Sequence, residues 1–242
     1  MFDKFSQTKK EILSKKDKSS KGNWDEKISK LCEKINKKEN CFTTSSCSGR
    51  IVLMIDQEKK EEGLFKFVSH DLISFEELKN EVEKILHSQA RGLSGSEQTS
   101  SSSSLREKNF NEKNSKDNKL ILARDNINNQ EISEIKNYQK SNLLNIKFKQ
   151  EPCILHVACK DLEGAKNILK QGQSAGWKRS GIISLDKNIF VELNGTDKLE
   201  FPIIHDGELI INDKFLKIIA EKANDNLKKS WKKIKNLEKN IN

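Results

Sequence analysis

The sequence predicts an α+β protein: mixed, mostly antiparallel sheets with flanking helices and a long C-terminal helix. Three observations predict it. Apolar runs of strand length come in pairs joined by turn residues, the pattern of hairpins rather than of strands linked by helical crossovers. Stripes with apolar spacing i, i+3, i+4, i+7 flank those pairs, and the last of them covers residues 213–238. No strand runs into a G-x-G-x-x-G or G-x-x-x-x-G-K-[ST] turn, so the chain carries neither a Rossmann fingerprint nor a P-loop.

Residues 3–16 read as a first helix with Phe2, Phe5, Ile12 and Leu13 on its apolar side. A polar turn over 17–22 follows. Asp25 and Glu26 open a second helix, where the dipole favours acids. Its apolar stripe is Ile28, Leu31, Cys32 and Ile35, and Trp24 stands where it can staple the entry. Residues 36–40 end it. Thr43 to Arg50 reads as a polar loop feeding a buried strand over 50–56. Leu64 to Val68 is a second strand, expected antiparallel to the first. Ser74 and Glu77 form a capping box for a helix over 75–87.

Residues 89–140 differ in kind. They hold the run Ser100 to Ser104 and a mixture of Asn, Lys, Glu and Asp, with only Leu120, Ile121 and Leu122 clustered. Such a stretch buries too little apolar surface to offset chain entropy, and it is expected to be a disordered insertion in one domain spanning 1–242. Two strands are expected over 143–148 and 152–159, then a helix over 162–171 capped by Asp161. Residues 177–185 and 188–193 read as a hairpin, and 199–204 and 209–211 as another turned by Asp206-Gly207. The final helix offers Phe215, Ile218, Ile219, Ala223, Leu227, Trp231, Ile234 and Leu237 as its apolar face, with its lysines pointing away.

At 242 residues the chain is long enough for one large domain. Its net charge of +9 and pI near 9.2 favour a polyanionic partner, although a general bias toward Lys, Asn and Ile accounts for part of that charge. The N-terminus is charged from Asp3 onward and no apolar run reaches membrane length, so a cytoplasmic protein without membrane contact is expected. The five cysteines include no C-x-x-C pair. Cys41 with Cys47 and Cys153 with Cys159 have a spacing unlike that of metal knuckles, and no metal is expected.

Chemistry-bearing residues concentrate in Thr43-Thr44-Ser45-Ser46-Cys47-Ser48-Gly49-Arg50. Gly49 permits close backbone approach, and the Arg50 fork suits carboxylate or phosphate. Lys21, Gly22 and Asp25 lie upstream; His70, His156, Glu192 and Asn224 lie downstream. Each has a plainer role available: Asp25 as a helix-start acid, His156 as a satisfied strand histidine, the serines as loop braces. Lys178 and Arg179 follow Trp177, a pairing that suits base stacking with phosphate contacts or simply a soluble strand edge.

The segment TTSSCSGRI at Thr43 to Ile51, the K-G-x-x-D start at Lys21 to Asp25, His70, His156-Val157-Ala158-Cys159 and Trp177 to Ile183 together resemble the tRNA wybutosine-synthesising protein 3 family. The resemblance covers about residues 1–88 and 141–236. It implies an α+β fold unlike the common methyltransferase sheet. It also implies transfer of a methyl group from S-adenosylmethionine to N4 of a tricyclic guanine derivative beside the anticodon of phenylalanine tRNA, alongside other enzymes of that pathway. Carried onto this chain, it points to Asp25, His70 and Lys21 for catalysis, with Asp25 as the first choice of base. It points to Ser45, Ser46, Cys47, Ser48, Gly49, Arg50 and His156 for the cofactor. It points to Lys178, Arg179, Ser180, Gly181, Glu192 and Asn224 for the anticodon stem-loop. The family often has tryptophan where Ser69 stands here, which leaves Trp24 and Trp177 as stacking candidates. A non-catalytic tRNA-binding protein is the competing expectation.

Overall fold

The computed structural model describes residues 3–15, 25–57, 63–94, 143–186 and 188–241, with the backbone alone over 90–94. Lys21, Gly22, Trp24 and most of the 89–140 insertion lie outside the described residues.

Two helices open the chain, α1 (Lys4–Leu13) and α2 (Glu26–Asn36). Asp3 caps the first by accepting from Ser6 N–H at 2.8 Å, and Asp25 caps the second through Lys27 N–H at 3.2 Å. β1 (Cys41–Cys47), β2 (Arg50–Ile55), β3 (Phe65–Ser69) and α3 (Phe75–Ser94) follow. After the undescribed stretch come β4 (Ile146–Glu151), β5 (Ile154–Cys159) and α4 (Leu162–Ser174). Then come β6 (Gly181–Ser184), β7 (Ile189–Asn194), β8 (Leu199–His205), β9 (Glu208–Leu209) and α5 (Asp213–Asn240). The Asp206-Gly207 turn has φ of 50° and 77°, the doubly positive geometry that suits a tight hairpin.

The strands form two wholly antiparallel sheets, ordered β1-β5-β7-β6 and β3-β2-β4-β8-β9. The polar stretch expected as a loop is strand through Cys47, with only Ser48 and Gly49 linking it to β2. The reason is tertiary. β5 lies alongside it, and pairing from Cys41–Cys159 to Cys47–Ile154 satisfies backbone groups that a hydroxyl-rich loop would otherwise leave to water. Asn36 at the end of α2 adds an anchor, its side-chain oxygen accepting from Thr43 N–H at 2.8 Å.

One core lies between the first sheet and α2, α4 and the C-terminal half of α5, with Leu31, Ile35, Leu155, Val157, Val191 and Ile234 fully buried. Another lies between the second sheet and α3 and the N-terminal half of α5, around Ile51, Leu53, Phe148, Leu78 and Leu227. Each such side chain contributes roughly 1.5–3 kcal/mol of burial energy. Trp231 packs against both cores, so α5 joins them. A small third cluster packs on the other face of the first sheet. There Phe5 of α1 meets Phe42 with ring centroids 5.3 Å apart, beside Ala158.

The buried face of α5 departs from the expected stripe. Phe215 and Ile218 are exposed, while Leu216, Ala220, Asn226 and Ser230 face inward. Buried polar groups explain part of the rotation: Asn226 donates to Gln150 at 2.9 Å, and Ser230 accepts from Cys153 N–H at 3.3 Å. Gly49 makes the step from sheet to sheet with φ of +104°, beneath α5. A Cβ there would sit 3.0 Å from the Glu151 carbonyl and from Leu227 Cδ2. Among the described residues, no helix is long and apolar enough to cross a membrane.

Candidate active site

The face of the first sheet left open beside α1 carries a row of polar side chains. In the strand register Ser45 pairs with His156, His156 with Glu192, and Glu192 with Gly181, straight across β1, β5, β7 and β6. Directly paired residues share a face, so three of these side chains meet. Ser45 Oγ lies 2.6 Å from His156 Nδ1, and His156 Nε2 lies 2.8 Å from Glu192 Oε2. A carboxylate only accepts, so Nε2 carries a hydrogen toward Glu192, while the Ser45 hydroxyl faces Nδ1. A β-bulge between Thr43 and Ser45 makes this possible by shifting the phase of β1, which turns Ser45 onto the open face.

A second cluster stands two residues further along β1. The Asp25 carboxylate accepts from Ser48 N–H at 2.9 Å and lies 3.5 Å from His70 Nδ1; Cys47 Sγ lies 3.7 Å from the same nitrogen. Burial pushes Asp25 up, but the bonds from His70, Ser48 and Lys27 outweigh it and hold its carboxyl well below the usual range. The Asp25 carboxylate, then Cys47, raise His70 to about 9 against the cost of burial. Asp25 and His70 are therefore a carboxylate–imidazolium pair at neutral pH. Asp25 Oδ2, Cys47 Sγ and His70 Nδ1 lie within 4.8 Å of one another, the arrangement among the described residues best suited to hold a metal ion.

The remaining expected residues divide by where they point. Ser46 pairs with Leu155 on the opposite face and reaches Cys32 beneath α2. Ser48 is fully buried. The Arg50 Nε–H donates to Glu151 at 2.5 Å and the guanidinium lies 5.0 Å from the Phe65 ring, so this cation is held within the second sheet. Asn224 binds both backbone groups of Ile73, accepting from N–H at 2.9 Å and donating to the carbonyl at 2.8 Å. It fixes the loop that carries His70. Ser180 donates to the Trp177 carbonyl at 2.6 Å and accepts from Asn194 N–H at 3.1 Å, bracing the entry to β6.

Lys178 and Arg179 are exposed, and Arg179 N–H donates to the Asn194 carbonyl, which sits in the same register row as Cys47 and Ile154. The basic pair thus stands at the edge of the open face. Trp177 does not. It is fully buried with its indole N–H on the Lys233 carbonyl at 3.2 Å, which removes it as a stacking residue. Ser69, standing where the family often has tryptophan, closes a turn: its hydroxyl donates to the Asp71 carbonyl and accepts from Asp71 N–H, both at 3.1 Å. Glu151 and Asn36 were not expected to matter. Their sequence signals, an acid before proline and a helix-ending asparagine, are too common to have marked them.

The family described as Methyltransferase TYW3 matches residues 7–242. A Methanocaldococcus jannaschii relative named tRNA(Phe) 7-((3-amino-3-carboxypropyl)-4-demethylwyosine(37)-N(4))-methyltransferase is 28% identical over 210 residues, 85% of this chain and 80% of that one. A Danio rerio relative named tRNA wybutosine-synthesizing protein 3 homolog is 26% identical over 96% of this chain and 72% of its own length. The solved structure of the PH1069 protein from Pyrococcus horikoshii is similar with a TM-score of 0.67 at 27% identity, covering 98% of this chain and 96% of that one. With a family match over nearly its whole length and the same mixed, antiparallel architecture, the chain belongs to the Methyltransferase TYW3 family.

Proposed function

We propose that this chain is an S-adenosylmethionine-dependent tRNA methyltransferase acting on N4 of the 4-demethylwyosine-type base beside the anticodon of phenylalanine tRNA. One observation carries the reading. In a member of this methyltransferase family, hydroxyl, imidazole and carboxylate groups open onto one sheet face, with the exposed Lys178–Arg179 pair at its edge. Relatives along most of the chain carry that activity in their names.

The donor chemistry of the open face fits S-adenosylmethionine. The His70 imidazolium suits a carboxylate, and the exposed Thr44 hydroxyl suits a ribose hydroxyl. Bound there, the donor supplies a sulfonium methyl open to direct displacement. The protein orients the acceptor nitrogen, takes up its proton and holds the anticodon stem-loop through Lys178 and Arg179. Residues 1–242 act as one domain in the reducing cytoplasm that five free cysteines suit.

Mass spectrometry of phenylalanine tRNA tests this. Purified protein, S-adenosylmethionine and tRNA bearing the demethyl tricyclic base should yield a gain of one methyl group on that nucleoside. Tight tRNA binding without donor binding or methyl gain would instead identify a non-catalytic tRNA-binding protein.

A further inference from the structure

We infer that Ser45, His156 and Glu192 form the proton relay of the methyl transfer: Ser45 contacts the acceptor N–H, His156 is the general base behind it, and Glu192 positions that base. The inference rests on the N4-methylation reading and assigns the step it leaves open.

A nitrogen that gains a methyl must lose its proton, and the site offers few places to put it. The Asp25 carboxylate is engaged by Ser48 N–H, Lys27 N–H and His70, and its side chain is 8% exposed. His70 Nδ1 is itself taken up between that carboxylate, at 3.5 Å, and Cys47 Sγ, at 3.7 Å. The side chains of His156 and Glu192 are 27% and 31% exposed, and Ser45 is exposed on the same open face. Three rigid strands set their spacing, and each link is within hydrogen-bond reach at 2.6 and 2.8 Å. The balance is simple. The acceptor N–H bond breaks and its proton joins Ser45 Oγ, while the Ser45 O–H proton passes to His156 Nδ1. The resulting imidazolium faces the Glu192 carboxylate, and the electron pair left on nitrogen forms the new N–CH₃ bond as the donor departs as a thioether. Ser45 ends as it began.

The relay makes three demands. Ser45→Ala and His156→Gln should each lower single-turnover methylation by about 10²- to 10⁴-fold with donor and tRNA dissociation constants within about threefold of wild type. Glu192→Gln should cost less, about 10- to 100-fold, because a neutral amide still orients the ring. Added imidazole should restore part of the rate to His156→Gly and none to Ser45→Ala. Independently of turnover, nitrogen-15 NMR of the protein alone should find His156 protonated at Nε2 only, with its Nδ1 resonance shifting in Ser45→Ala. A wild type that methylates while Ser45→Ala and His156→Gln match its rate overturns the relay and leaves the substrate reading intact. A His156 carrying its hydrogen on Nδ1 also overturns it. A wild type that binds but does not methylate the demethyl tRNA overturns the substrate reading itself.

Discussion

At neutral pH His70 carries a proton because the Asp25 carboxylate and the Cys47 sulfur converge on its Nδ1. The folded protein binds this proton more tightly than the unfolded chain does. The stabilisation is complete below the free imidazole value, about 6.5, and fades as pH rises through about 9. Asp25 works in the other direction: held below its ordinary range, it contributes above about 4 and loses that contribution only on stronger acidification. The pair therefore helps most between about pH 4 and 6.5, by an amount of order 2 kcal/mol. The urea stability of wild type minus that of His70→Gln should be largest near pH 5.5 and close to zero by pH 10; a flat difference would contradict the ion pair. Asp25→Asn keeps a side-chain oxygen for the α2 cap, so it should cost only about 1–2 kcal/mol. Proton NMR should then show His70 titrating at least one unit lower than in wild type.

At the scale of elements, the site depends on two devices that bring the sheets together. Gly49 turns the chain from β1 into β2 at a positive φ with backbone on one side and Leu227 on the other. Gly49→Ala combines left-handed strain with a clash and should destabilise the protein by about 2–4 kcal/mol in urea titration. Asn224 holds the Ile73 backbone against α5 and so keeps the His70 loop in place. Asn224→Ala leaves two partly buried backbone groups unpaired and should cost about 1–3 kcal/mol. It should also loosen the loop, read as faster amide exchange over residues 70–73 than elsewhere. Uniform change across the protein would mean that Asn224 merely adds stability.

At the scale of the whole molecule, α5 is about 42 Å long and packs into both cores. Truncating it at either core, by Leu227→Ala in one or Ile234→Ala in the other, should cost about 2–5 kcal/mol. Because one rigid helix spans both, fluorescence and circular dichroism should report a single coincident unfolding transition in each variant. The net charge of +9 should make tRNA binding weaken steeply with salt. Replacing Lys178 and Arg179 by alanine should lower the log–log salt slope by about 1–2 in filter binding between 50 and 200 mM salt. An unchanged slope would place the phosphates elsewhere on the surface.

The sequence by itself determined the class of fold, because helical and strand periodicities depend on local spacing. It placed both histidines and the exposed basic pair among the candidates, and the eight-residue motif singled out the stretch on which the site is built. It did not determine that this stretch is a strand. Serines and threonines are chosen by turns and strands alike, and only the presence of β5 alongside decides between them. Nor did it determine which hydroxyls reach the open face. Strict alternation would have put Ser45 with the buried residues; one bulge after Thr43 reverses the phase, sending Ser45 toward His156 and Ser46 toward Cys32. Asp25 offers the same contrast. Its place at a helix start was legible, but the lowering of its carboxyl comes mainly from His70 and Ser48, tens of residues away in the chain and brought close only by folding. Local preference set the elements, while strand register and charge proximity, which exist only in the assembled molecule, set the chemistry.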